Sequence, residues 1–342
     1  MSENFAKILD QMHEQIAVAP EIVRPSSFWI EMNKRHTKAI FSKGVENFKR
    51  TLARDYFMWT RVLPWDSQIR FLIKNLPITA TLRAAMGVIV PFRHRGIPLF
   101  EGFALNFLTR LIWQFVERQA PDEIELLMEP AAGNPPDIRI NGRKISQDLA
   151  NSILEYKSIE KISENLSVIC EIGGGYGRTA FVLSSLIMNV KYIMVDIPPA
   201  LGVAQTYLRE IFPDRRHFAF RPFSDFSEVK AEFDLADFVF LTPDQLQKLP
   251  DSIIDLFINI SSLHEMRHDQ IRYFIDEIFR LVRPEGYFYL KAWKVSNNPI
   301  EGIVVLESDY PLDDWNAVYR RTPLVQSRFF ETLLQKPAVD RA

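Results

Sequence analysis

Hydrophobic and polar positions divide the chain into two patterns. Up to about residue 118, apolar side chains recur at the three- and four-residue spacing of amphipathic helices; beyond residue 168, apolar runs of strand length alternate with helical stretches. In the first part, residues 1–25 predict one helix and an irregular lead-in through Pro20 and Pro25. Phe28, Trp29, Met32, Ile40, Phe41, Phe48, Leu52, Tyr56 and Phe57 predict two helices over 27–61, interrupted near Gly44. Pro64, Pro77, Pro91 and Pro98 break the next stretch into shorter pieces, and Leu105, Leu108, Leu111, Ile112 and Phe115 resume a helix over 102–118.

Residues 121–142 hold Pro121, Pro130, Gly133, Pro135, Pro136 and Gly142, the densest break signal, and predict the domain boundary. We therefore expect a mainly helical substrate-covering region over 1–142 and a second domain over 143–342. Ser146 is placed to cap a helix beginning at 147, with Asp148 at its positive end. The strands predicted next are 168–171, 191–195, 237–241, 256–260 and 287–293, with helices from 179, from 198 to 212 and over 264–282. Alternation of this kind implies a parallel sheet with right-handed crossovers. Two last extended stretches, 315–321 and 329–336, have no helix between them and predict an antiparallel edge hairpin.

Composition changes this picture little and narrows the function. Of 342 residues, 47% are apolar and 25% charged, as in ordinary globular proteins. With 41 basic against 43 acidic side chains, the charge makes no electrostatic case for nucleic acid or an anionic membrane, so a small-molecule partner is expected. The one cysteine, Cys170, lies inside a predicted strand and reads as a buried, inert thiol. No signal-peptide pattern or run of membrane-spanning length occurs, so the expected location is cytoplasmic, without stable membrane insertion. Homo-oligomer formation stays open.

The chemistry concentrates where the strands end. After Val168-Ile169-Cys170 come Glu171-Ile172-Gly173-Gly174-Gly175-Tyr176-Gly177-Arg178. Glycines let the backbone turn sharply and let a ligand approach the main chain. The dinucleotide spacing G-x-G-x-x-G, begun at Gly173 and Gly175, requires a third glycine where Arg178 stands, so that register fails. The spacing present is acid-x-G-x-G-x-G. Asp196 ends the second strand, where an acid can accept both hydroxyls of a ribose. After the third strand, Thr242-Pro243-Asp244-Gln245 can meet an adenine amine or simply start a helix. The fourth strand ends in Asn259-Ile260-Ser261-Ser262-Leu263-His264-Glu265-Met266, where His264, then Glu265, are the candidate general bases; Ser262-x-x-Glu265 is equally a capping box. His94, in Phe92-Arg93-His94-Arg95-Gly96, is either part of a substrate pocket or of a solvated loop. No metal-binding spacing is present.

The glycine loop resembles the first motif of class I S-adenosylmethionine (SAM)-dependent methyltransferases. Residues 146–156, Val195-Asp196-Ile197-Pro198-Pro199, Asn259 to Met266, Ser27-Phe28-Trp29 and Gly44-Val45-Glu46-Asn47-Phe48-Lys49 are together similar to the sugar O-methyltransferase family. The resemblance implies a Rossmann-like α/β fold and SAM as cofactor. It also implies a cofactor set of Glu171, Gly173, Gly174, Gly175, Tyr176, Gly177, Asp196, Ile197, Asp244 and Asn259, and a hydroxyl of a sugar or glycoconjugate as acceptor. The alternatives are a methyltransferase of another small molecule, a lipid or a protein side chain, and a non-catalytic SAM-binding protein.

Overall fold

The computed structural model describes residues 2–52, 65–88, 99–298, 300 and 302–338. The Phe92 to Gly96 cluster with His94, and the part of the second N-terminal helix expected over 53–61, lie outside the described residues. The chain forms two compact units: Met1–Lys38 with Ile162–Pro323 and Arg328–Ala342, and Ala39–Lys161 with Leu324–Ser327. This division differs from a single boundary at 142, because burial rather than chain order decides which helix joins which core. The helix Ser2–Val18 packs on the helix Ala200–Ile211 of the sheet unit, whereas Gln147–Ile159 packs on Leu99–Gln119.

In the helical unit, Leu99–Gln119 is central and buries Leu108, Leu111, Ile112, Trp113 and Val116. Trp65–Asn75 and Ile78–Met86 lie against it, with Phe71 edge-on to Phe115 at 5.6 Å. The expected break at 121–142 is ordered. A short helix Pro121–Leu126 precedes a hairpin of β1 (Ile138–Ile140) and β2 (Arg143–Ile145), turned by Asn141 and Gly142 at φ 50° and 80°. Positive φ at both central residues is what an Asn-Gly hairpin turn requires, and that dipeptide is the sequence signal for this unanticipated element. Ser146 Oγ accepts the Leu149 N–H at 3.0 Å, the expected cap.

The sheet unit is Rossmann-like. Its strands are β3 (Val168–Ile172), β4 (Lys191–Val195), β5 (His217–Phe218), β6 (Phe238–Leu241), β7 (Ile254–Ile260) and β8 (Val282–Trp293). A small separate hairpin, β9 (Val295–Asn298) and β10 (Ile303–Leu306), precedes the final pair β11 (Asn316–Arg321) and β12 (Phe329–Gln335). The order across the large sheet is β11-β12-β8-β7-β3-β4-β6-β5. Strands β3 to β8 run parallel, and β12 lies antiparallel between β8 and β11, the expected edge hairpin. Every residue of β6 and β7 is buried, as in sheets covered on both faces.

Three boundaries shift. The helix expected from 264 begins at His268, because Leu263–Glu265 forms a single 3₁₀ turn that Met266, extended at ψ 163°, cuts off. Ser262 makes no side-chain cap there; Gln270 Oε1, accepting the Arg267 N–H at 3.2 Å, starts the helix instead. The fourth strand begins at Ile254 and the fifth at Val282, with Asp255 held inside the sheet. Its Oδ2 accepts the Ser167 and Val168 N–H groups at 2.7 and 2.8 Å, and its Oδ1 pairs with Arg283. Among the described residues, no helix is long and apolar enough to cross a membrane.

Candidate active site

The predicted residues gather at the carboxyl ends of four adjacent parallel strands, β7, β3, β4 and β6, around the point where strand order reverses from β3. In open α/β sheets this is where ligands bind. Gly173, Gly175 and Gly177 all have positive φ, 74°, 60° and 88°, a conformation L side chains rarely adopt. A Cβ on Gly173 would also stand 2.1 Å from Ser262 Oγ, so the loop and the β7 end approach closely only with glycine there.

The loop's own amides hold the turn. Gly173 donates to the Val195 carbonyl at 2.8 Å, Gly177 to the Gly174 carbonyl at 3.0 Å, and Gly175 to Asp196 Oδ2 at 2.8 Å. Asp196 Oδ1 accepts the Ile197 N–H at 2.7 Å. Each carboxylate oxygen keeps a second lone-pair site for a ligand. Burial pushes the Asp196 carboxyl up to about 7; the two N–H donors pull it down, and the nearby Glu171 pushes it up further. Glu171, buried at the end of β3, accepts the Tyr192 hydroxyl at 2.7 Å. Burial, and after it the Glu171 charge, holds the Tyr192 phenol well above its ordinary value, so it stays a donor.

Not all of the expected cofactor set faces outward. The Tyr176 ring is buried edge-on to Tyr207 at 5.2 Å, leaving only its main chain to line the turn. Asn259, fully buried, spends its side chain on protein: Nδ2 donates to the Ile172 carbonyl at 3.0 Å and Oδ1 accepts the Leu263 N–H at 3.3 Å. It ties the β7 end to the glycine loop. Asp244 is buried after β6; Oδ2 accepts Gln15 Nε2 at 2.5 Å, while Oδ1 is buried with no hydrogen-bond partner among the described residues.

The two base candidates differ sharply. His264 is 4% exposed, and burial drives its imidazolium pKa down to about 3, so the ring is neutral. Its Nε2 lies 3.7 Å from Glu265 Oε1, and its ring meets Trp293 edge-on at 6.4 Å. Glu265 is pushed up to about 8, chiefly by burial and also by the Asp196 charge, while a hydrogen bond from the Trp29 side chain opposes the rise. Its side chain nevertheless keeps 31% of its surface, an opening through which a solute can reach it.

Three acids, Glu171, Asp196 and Asp244, thus stand at the ends of β3, β4 and β6, beside a turn in which Gly173, Gly175 and Gly177 already donate their N–H groups to protein acceptors. A pyrophosphate needs free N–H groups and finds carboxylates; a cationic ligand carrying ammonium, hydroxyl and amine donors fits. SAM has that donor set, and Glu171, Asp196 and Asp244 are the residues that would hold it. Among the described residues, no group of three or more His, Cys, Asp and Glu is arranged to hold a metal ion.

Similar solved structures include a SAM-dependent methyltransferase from Aquifex aeolicus, at 15% identity over 52% of this chain and 88% of that one, with a TM-score of 0.37. The PH0226 protein from Pyrococcus horikoshii OT3 is similar at 13% identity over 53% of this chain and 89% of that one, with a TM-score of 0.39. An arsenic(III) SAM methyltransferase from Chlamydomonas reinhardtii is similar at 16% identity over 52% and 65%, with a TM-score of 0.34. No protein-family model and no curated protein matches the chain. The sheet unit has the expected Rossmann-like, mostly parallel sheet with an antiparallel edge.

Within this fold, the residues that sequence reasoning missed are partners of the acids. Tyr192 sits inside an apolar strand, where a buried hydroxyl demands an acceptor; that was its only signal. Trp29 stands in the aromatic stripe of the second N-terminal helix, and nothing in its spacing separates a ring that packs from one that donates to Glu265.

Proposed function

We propose that the chain is a SAM-dependent O-methyltransferase whose acceptor is a hydroxyl of a sugar or glycoconjugate. The observation that carries the cofactor part is Asp196, which bridges the glycine turn and the β4 end with both oxygens and still has a lone pair on each to receive ribose hydroxyls. The acceptor part is supported by the sequence motifs alone. When bound, SAM supplies an electrophilic methyl group on a sulfonium.

The chain's residues then do three things. Glu171, Asp196 and Asp244 fix the cofactor's donors. Glu265, partly exposed just after β7, would take the proton that the acceptor hydroxyl loses as its oxygen bonds to the methyl carbon and the carbon–sulfur bond breaks. A base works best with a pKa near the operating pH, and Glu265 at about 8 meets that condition better than His264 at about 3. Trp29, by donating to the carboxylate, favours its ionised form and fixes its orientation. Catalysis is otherwise alignment of oxygen, methyl and sulfur.

Titration of the folded protein with SAM by calorimetry tests the cofactor assignment: heat of binding is expected, and none would overturn it. Transfer of labelled methyl to mono- and oligosaccharide acceptors is expected; label going only to lipid or protein side chains, or nowhere, would remove the sugar assignment.

A further inference from the structure

The helix Ser2–Val18 is seated on the sheet unit by buried Phe5, Leu9, Met12 and Ile16. Gly202 in the helix Ala200–Ile211 permits the approach, since a Cβ there would stand 2.9 Å from Leu9 and 3.3 Å from Phe5. The segment after this helix is held as well. Gln270 Nε2 donates to the Ile22 and Arg24 carbonyls at 3.0 and 2.9 Å, and Arg24 Nε donates to the Ala19 carbonyl at 2.6 Å. From this seat Gln15 reaches Asp244.

The bond is one-sided. Gln15 Nε2 occupies Oδ2 at 2.5 Å, and Oδ1 is buried, without a hydrogen-bond partner among the described residues, on a residue only 3% exposed. A buried polar atom left without a partner calls for an explanation, and a ligand donor is one. The terminal torsion of an aspartate is broad and two-fold, so a free carboxylate has no single orientation. A charge-assisted hydrogen bond on one oxygen fixes the direction of the other.

We propose that Gln15 is a positioning residue: it turns Asp244 so that Oδ1 accepts the exocyclic amine of adenine, and the N-terminal helix thereby sets the selectivity of the site for adenine over a 6-oxopurine. The inference rests on the reading of this site as a SAM site. A carboxylate oxygen attracts an amine N–H and repels a carbonyl oxygen at the same place, so the two bases are told apart by sign and not only by fit.

The test is calorimetry on the full chain with S-adenosylhomocysteine and its 6-oxo analogue, S-inosylhomocysteine. The wild type is expected to favour the adenosyl compound by roughly tenfold to a hundredfold, the worth of one hydrogen bond to a charged group. In Gln15→Met, which keeps the length and loses the donor, the ratio should fall at least about fivefold, with the thermal midpoint near that of wild type. Gln15→Ala gives the same reading should the longer side chain repack, and Asp244→Asn should bring the ratio close to one. A ratio unchanged in both Gln15 variants, or a wild type that does not discriminate, overturns the inference while leaving the SAM reading intact. A folded wild type that binds neither compound overturns the SAM reading and this inference with it.

Discussion

Asp196, Glu265 and His264 show how single side chains take their character from their surroundings. For Asp196 the folded carboxyl, near 7, lies above its ordinary value of 3.8, so the folded protein holds the extra proton between those values. Its contribution to stability is therefore greatest below about 4, falls as pH rises to about 7, and is constant above. Asp196→Asn should flatten that part of the pH dependence of unfolding and weaken SAM binding roughly tenfold to a hundredfold; unchanged SAM affinity by calorimetry would take Asp196 out of the site. The base assignment has its own signature. With Glu265 as base, kcat/KM should rise with pH through a limb near 8, as the acid ionises. Glu265→Gln should abolish turnover, and His264→Ala should keep both the limb and measurable turnover. A profile flat from 5 to 9, with Glu265→Gln active, would transfer the role elsewhere. The side-chain types and their places at strand ends were readable in the chain. The effect of burial on them was not: the residue whose ordinary pKa suits a base, His264, is the one driven down to about 3, and Glu265 is pushed up to about 8.

At the scale of elements, the glycine loop works because two strand ends converge on it. Gly173 carries both requirements, φ of 74° and the close Ser262 hydroxyl. Gly173→Ala should therefore lower stability by about 1–3 kcal/mol and shift the loop, seen as a lower thermal midpoint together with weakened SAM binding; an unchanged midpoint would contradict the packing described here. The central parallel strands followed from apolar runs of the right length, since strands buried on both faces are mostly apolar; the final hairpin followed from two extended stretches with no helix between them, although β11 itself is largely exposed. The ends were less visible. A Ser-x-x-Glu after β7 has the form of a capping box, yet the chain makes one 3₁₀ turn and starts its helix at His268. The competing force is tertiary: Asn259 draws the Leu263 N–H and the Ile172 carbonyl to itself, which fixes the turn before a helix can begin.

For the molecule as a whole, each unit has its own core, and the helical unit has a buried polar anchor. In the helical unit Lys49, 5% exposed, pairs with Glu129, 4% exposed, whose other oxygen accepts the Ser146 hydroxyl at 2.6 Å. Lys49→Met leaves the carboxylate buried without its cation, at about 3–5 kcal/mol. Hydrogen exchange should then show the amides of 99–119 and 147–159 losing protection while β3, β4 and β7 keep theirs; equal loss in both units would show that they unfold as one. The amino-acid sequence alone determined the parallel sheet, the glycine turn and the acid that follows the second strand, because these depend on local periodicity and on spacing within one βαβ unit. Only the tertiary structure decided which helices join which core, which acid keeps an exposed side chain, and that Gln15 and Trp29, 229 and 236 positions away from their acids, reach Asp244 and Glu265. Contacts between residues so far apart are chosen by packing, and packing is a property of surfaces that exist only once the chain has folded.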